Sequence, residues 1–126
     1  MTETEISSLS VLSLAHIGDG VYELLVRTHL VSSGISRVDR LHKESIAIVN
    51  ASAQAKAAYA IMDKLSEHEL AVYKRGRNAR VNSVPKNTNP ACYHAATGLE
   101  TLFGWLWLRE ETDRVKQLFT IILETL

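Results

Sequence analysis

The sequence predicts an all-α fold, a compact helical bundle that a chain of 126 residues can build as one domain. Alternating apolar and polar residues, which are typical of strands, are nearly absent. Apolar residues instead recur at helical spacing, and at two points a serine stands three residues before an acid, as in a helix capping box. We therefore expect a single domain over residues 1–126.

The first half of the chain contains the signals of three helices. The first helix is expected to begin at Ser7 or Ser8 and to end at Gly34, because glycine is favoured just past a helix end. The pair Ser36 and Asp39 predicts the start of the second helix. The third is the alanine-rich stretch ASAQAKAAYAIMDKL, with Ser52 as its expected cap.

The second half contains three more helices and one loop. Ser66 and Glu69 form a capping box at the start of SEHELAVYKRG, and an ordered loop is expected over residues 78–89. Pro90 suits the first turn of a fifth helix that runs to about residue 108. Thr112 is the expected cap of the last helix, DRVKQLFTIILETL.

Composition excludes several classes of protein. A single cysteine, Cys92, rules out an internal disulfide framework and a cysteine-based zinc site, and it suits a reducing compartment. No uninterrupted apolar run reaches about 18 residues, so no membrane span is expected. The polar, acidic start MTETEISS predicts neither a signal peptide nor a transit peptide. Since the formal net charge is +0, any attraction to nucleic acid must be local.

Asp19 stands between two glycines in the otherwise apolar stretch LAHIGDGVYELLV. Because both sides of this helix are largely apolar, it is expected to be buried, where an ionised carboxylate is costly without a partner. The glycines are explained if another helix crosses closely there. Residues expected to share the face of Asp19 are Leu12, Ala15, Tyr22, Glu23, Val26 and Leu30.

Glu100 is in a comparable position, as the only formally charged residue between Asn87 and Leu108. Two such acids could be protonated, could each pair with a basic residue, or could share a bound cation. With oxygen ligands and no histidine cluster, that cation would be Mg²⁺ or Mn²⁺ rather than zinc. Glu23, one turn beyond Asp19, is a further candidate ligand. The alternative is that each acid is an ordinary solvated or ion-paired residue on its helix.

The segment KRGRNARVNSVPKN is basic and contains no acid. Positive charge at this density attracts phosphate groups, which arginine can bind with two parallel hydrogen bonds. Beside two acids that could hold a metal, it favours a phosphodiester substrate. The alternative is a solvated helix end whose cations complement the helix dipole. The candidate binding residues are Lys74, Arg75, Arg77, Asn78, Arg80 and Lys86, with Asn82 as a further hydrogen-bond donor.

These residues resemble the ribonuclease III catalytic domain, and within it the short Mini-ribonuclease III family. LAHIGDGVYE is similar to that family's form of the signature around LGDAV. RGRNAR followed by VPKNT, and then YHAATGLETLFGWLWL, resembles the later motifs in the same order. The similarity extends from about Leu12 to Asp113.

The resemblance implies a homodimeric endoribonuclease that cleaves double-stranded RNA with Mg²⁺, for which Mn²⁺ is a candidate substitute. Asp19 and Glu100 fall on catalytic, metal-binding positions, and the basic segment is expected to bind the RNA. The family matures the ends of large-subunit (23S) ribosomal RNA precursors, with a ribosomal protein as a candidate partner. The implied location is the cytoplasm, or a plastid if a transit peptide has been removed.

Two positions depart from ordinary ribonuclease III. Ala15 stands where that family has a metal-ligand glutamate, and Thr97 stands where it has an aspartate. One alternative is therefore a helical module that binds duplex RNA or the ribosome but has lost cleavage. Another is an interaction protein in which Asp19 and Glu100 form internal salt bridges.

Overall fold

The computed structural model describes residues 1–80 and 84–126, and every regular element within them is a helix. This confirms the predicted all-α fold, and none of these helices is long and apolar enough to cross a membrane. The α-helices are α1 (Glu3–Ser7), α2 (Val11–Ser32), α3 (Val38–Val49), α4 (Ala51–Ile61), α5 (Glu67–Arg77), α6 (Pro90–Leu108) and α7 (Thr112–Leu123).

Helix α6 lies at the centre of the bundle, packed against α2, α4, α5 and α7. Its middle turns are almost wholly apolar, and Leu99, Leu102 and Phe103 are completely buried. The ring of Tyr22 in α2 meets those of Phe103 and Phe119 edge to face, with centroids 5.7 and 5.8 Å apart. The core therefore joins α2, α6 and α7 around one aromatic cluster.

The predicted start of the first helix is wrong, whereas its predicted end is confirmed. Residues Glu3–Ser7 form the separate short helix α1. Helix α2 begins at Val11, because the hydroxyl of Ser10 accepts a hydrogen bond from the Ser13 amide and acts as its cap. At the other end, Gly34 adopts a φ of +95°, a conformation that favours glycine just past a helix.

Three other predicted caps are displaced by one or two residues. Arg37 rather than Ser36 occupies the cap position of α3, without a side-chain cap bond, so the predicted capping box does not form, and Asp39 instead forms an ion pair with Arg37. Asn50 rather than Ser52 caps α4, because its side chain accepts from the Ala53 amide at 2.9 Å. The last helix begins at Thr112, and the cap position before it belongs to Glu111.

The predicted capping box at the start of α5 is confirmed, with a further role for its acid. Ser66 and Glu69 exchange hydrogen bonds at 3.1 and 2.8 Å. Glu69 is buried, and Arg114 of α7 donates to both of its carboxylate oxygens at 2.8 and 2.9 Å. These bonds with Arg114 lower the pKa of Glu69. The ion pair ties α7 to the helix that carries the basic segment.

Candidate active site

The crossing of α2 and α6 brings the two candidate acids together. A Cβ on Gly18 would lie 1.6 Å from the carbonyl oxygen of Glu100, so only glycine permits this approach. Gly104 meets Leu14 in the same way, with 1.9 Å between such a Cβ and the Leu14 carbonyl oxygen. The predicted close crossing is therefore confirmed at Gly18. A Cβ on Gly20 would meet nothing within 4 Å.

The carboxyl group of Asp19 lies close enough to that of Glu100 to perturb its pKa. Burial, together with the neighbouring charge of Asp19, raises the pKa of Glu100 to about 8. Asp19 itself is exposed, so the expectation that its helix has little solvent-facing surface is wrong. The physical reason is that α6 occupies the centre of the bundle and leaves one side of α2 uncovered. Solvent therefore reaches the pair from the Asp19 side.

A buried amide adjoins the pair and was not predicted from the sequence. Gln54 of α4 is 4% exposed, and its side chain faces the carboxylate of Glu100. Its amide donates to the Val49 carbonyl at 2.8 Å, but its Oε1 has no hydrogen-bond partner among the described residues. Nothing in the alanine-rich sequence of α4 indicates this position, because helical spacing alone does not say which helix a buried polar residue will face.

The structure does not provide the cationic partners that an internal salt bridge requires. Among ion pairs between residues of the described ranges, none includes Asp19 or Glu100. The salt-bridge alternative is thus not supported. Two adjoining carboxylates instead supply oxygen donors of the kind that hard divalent cations prefer, and the buried amide of Gln54, with its orphaned oxygen, lies beside Glu100. The residues present fit such a cation.

Glu23 is not brought to this pair. It forms an ion pair with Arg27 at 2.5 Å on the exposed side of α2. Within residues 1–80 and 84–126, no group of three or more acidic, histidine or cysteine residues could hold a metal ion. Ala15 is buried, and Thr97 is buried with its hydroxyl donating to the Tyr93 carbonyl at 3.0 Å. The two departures from ordinary ribonuclease III therefore supply no ligand.

The basic segment begins where α5 ends, beside the stretch of α6 that holds Glu100. A Cβ on Gly76 would lie 2.3 Å from Oγ1 of Thr101, which shows how closely the two helices pack. The guanidinium of Arg77 lies over the ring of Tyr73 at 5.9 Å and donates to Asn78 at 3.2 Å. Asn82 lies outside the described residues. The exposed members of the segment are Lys74, Arg75, Arg77, Asn78, Arg80 and Lys86.

The sequence profile of the Ribonuclease III domain matches residues 12–111, which is most of the chain. The chain belongs to the ribonuclease III domain family. The predicted resemblance is thereby confirmed, and this ribonuclease III domain is an endoribonuclease. The matched range contains both candidate acids and the basic segment.

Curated relatives and a solved structure agree with this assignment. The domain is 40% identical to Mini-ribonuclease 3 of Thermoanaerobacter sp. (strain X514), over 100% of this chain and 89% of that protein. It is 44% identical to Mini-ribonuclease 3 of Desulfitobacterium hafniense (strain Y51), over 85% and 68% of the two chains. A crystal structure of a Fusobacterium nucleatum protein superposes with a TM-score of 0.86 at 28% identity, covering 96% of this chain and 97% of that one.

Proposed function

We propose that this ribonuclease III domain cleaves double-stranded RNA in a reaction that depends on Mg²⁺ and uses Asp19 and Glu100 as catalytic residues. The observation that carries the proposal is the contact between these two carboxyl groups, which have no cationic side chain to offset them among the described residues. A partly buried acid with a raised pKa beside a second acid is a frequent sign of a functional site.

Asp19 and Glu100 would hold the divalent cation, Mg²⁺ or its substitute Mn²⁺. Such a cation, when bound, supplies an activated water and stabilises the leaving oxygen of a phosphodiester. The protein holds the two carboxylates together through the close crossing of α2 and α6 at Gly18. Because Asp19 is exposed, one side of the pair stays open to substrate. Ordinary hydrolysis of this type gives 5′-phosphate and 3′-hydroxyl ends.

The basic segment would hold the backbone of the duplex. Its cations are exposed, and within the part of the chain that the structure describes they form no ion pair with an acid. An A-form duplex is recognised mainly by its shape, its phosphates and its 2′-hydroxyls, so little base specificity is needed from these side chains. The proposed contacts are those of Lys74, Arg75, Arg77, Asn78, Arg80 and Lys86.

Arg77→Ala is expected to weaken duplex binding and to reduce its dependence on salt. Each phosphate contact adds close to one unit to the slope of log K against log salt concentration, so the slope should fall by about 1. Fluorescence anisotropy of a labelled RNA duplex at several salt concentrations measures both the affinity and this slope. Arg40→Ala, on exposed α3, is the matched control and should leave the slope unchanged. An unchanged slope for Arg77→Ala as well would remove this residue from the interface.

We further propose a homodimer that matures the ends of large-subunit (23S) ribosomal RNA precursors in the cytoplasm, with a large-subunit ribosomal protein as a candidate partner. The names of the curated relatives support the RNA-processing role. The dimer is supported by an apolar surface shared by α2 and α3, where a groove of about 300 Å³ opens between the helices. Exposed apolar patches of this kind mark protein interfaces. The surface includes Val31, Val38 and Ile46, which are 60%, 80% and 51% exposed.

Cleavage of a labelled RNA duplex tests the proposal, with the native chain compared with Asp19→Asn. We expect the native chain to cut the duplex in Mg²⁺ and the variant to be at least about 100-fold slower, since it loses a carboxylate of the cation site. Both proteins should bind the duplex in the absence of a divalent cation. If the native chain binds the duplex but leaves it whole in both Mg²⁺ and Mn²⁺, the domain is the binding module that the residues Ala15 and Thr97 allow.

A further inference from the structure

Gln54 is an unusual residue in the interior of this bundle. It is one of few polar side chains that are fully enclosed, and its Oε1 has no partner among the described residues. A buried polar atom without a hydrogen bond costs folding free energy, and such atoms are rare in native proteins. A leucine at this position would fill similar space without the unpaired oxygen, although it would leave the Val49 carbonyl without its donor. The unpaired oxygen therefore calls for a reason outside folding.

The surroundings of Gln54 supply the reason. Its amide group is held from one side by the carbonyl of Val49 at the end of α3, at 2.8 Å. From the other side it faces the carboxylate of Glu100, and that carboxylate adjoins Asp19. Three helices, α2, α4 and α6, thus each bring one oxygen-bearing side chain to the same place. The only one of the three that is both buried and uncharged is Gln54.

We propose that Gln54 is the third side chain of the cation site, where it positions Glu100 through its amide N–H and offers Oε1 to the cation or to one of its waters. This inference rests on the proposed function, because it assumes that Asp19 and Glu100 hold a divalent cation. Mg²⁺ takes neutral carbonyl oxygens as well as carboxylates and retains several bound waters, each of which needs an acceptor. An amide oxygen meets that need without adding a third negative charge to two carboxylates that already repel each other.

Replacement of Gln54 has different effects if the residue supports a cation site than if it only packs in the core. A residue that merely packs would change the stability of the bundle when replaced, and would leave cation affinity alone. A residue that supports a metal site changes affinity by 10- to 100-fold when its hydrogen-bonding group is removed. Cation affinity is therefore the readout that separates the two roles, because removal of the amide eliminates the unsatisfied oxygen but also takes the donor from the Val49 carbonyl.

Direct binding of Mn²⁺ to the full chain, measured by electron paramagnetic resonance without RNA, tests the proposal. Gln54→Leu is expected to bind Mn²⁺ about 10- to 100-fold more weakly than the native chain, while circular dichroism without metal shows that the helical bundle still forms. Gln54→Met, which is unbranched and also lacks the amide, is the second variant if leucine does not fold. Asp19→Asn is the reference for loss of a carboxylate.

Two other outcomes are distinct from each other. If Gln54→Leu or Gln54→Met folds and binds Mn²⁺ within about twofold of the native chain, Gln54 is not part of the site, and the role of the two acids stands. If the native chain itself binds no Mn²⁺ at millimolar concentrations, the proposed cation site fails and takes the role of Gln54 with it.

Discussion

Glu100→Gln is expected to abolish cleavage and, at the same time, to stabilise the protein in the absence of divalent cations. The loss of activity follows from the removal of a carboxylate that the proposed cation site requires, and we expect it to be at least about 100-fold. The gain in stability follows from the surroundings of Glu100, where burial and the neighbouring Asp19 both disfavour its charged form. Glutamine has nearly the same shape and carries no charge.

The pH dependence of this gain has a definite sign. Folding raises the pKa of Glu100 from 4.5 to about 8, so the folded state holds this proton more tightly than the unfolded state does. The native chain therefore loses stability as the pH rises from about 4.5 to about 8. The variant lacks this loss. Its advantage should be close to zero at pH 4 and should reach about 4 kcal/mol at pH 8, because each pKa unit corresponds to about 1.4 kcal/mol.

Urea unfolding with EDTA present, followed by circular dichroism at several pH values, measures the stability of Glu100→Gln relative to the native chain. A control exists in Glu23→Gln, because Glu23 is paired with Arg27 on the exposed side of α2 and should show no such gain. Added Mg²⁺ should narrow the difference in free energy of unfolding between the variant and the native chain, since only the native chain is stabilised by the cation. At ten times the Kd this stabilisation is about 1.4 kcal/mol. A Glu100→Gln protein that is less stable than the native chain at pH 8 would mean that the charge of Glu100 is compensated in the fold.

The candidate acids could be found from the sequence because their pattern is local. Asp19 and Glu100 each interrupt a run of apolar residues, and the helices that carry them have the periodicity that the structure confirms. The same reasoning failed to orient α2. Its two sides are both rich in apolar residues, so periodicity cannot decide which of them faces α6, and Leu24 on the uncovered side is 61% exposed.

The features that were missed depend on contacts between distant parts of the chain. Arg114 and Glu69 are 45 residues apart, and each by itself looks like an ordinary surface charge. Gln54 meets Glu100 only because α4 and α6 pack together. Helix caps were misplaced for a different reason, since Ser52 and Asn50 are both good cap residues and their intrinsic preferences are too similar to decide between them.

Gly18→Ala is expected to be the most disruptive of the glycine-to-alanine substitutions in this chain. The new Cβ would lie 1.6 Å from the carbonyl oxygen of Glu100 and 2.5 Å from its carbonyl carbon, both of which belong to the main chain of a central helix. No side-chain rotation can relieve such a contact, so α2 must move away from α6. We expect a loss of about 3 kcal/mol or more in the free energy of unfolding.

Gly20→Ala, two residues away on the same helix, is the matched control. Its Cβ would meet nothing within 4 Å, and alanine favours a helix over glycine, so the free energy of unfolding should rise by up to about 1 kcal/mol. Urea unfolding of the two variants gives the comparison. Any Gly18→Ala protein that still folds should also bind Mn²⁺ poorly, because the movement that accommodates the methyl group separates Asp19 from Glu100. Equal stability of the two variants would contradict the close crossing, and with it the account of why two acids on different helices meet.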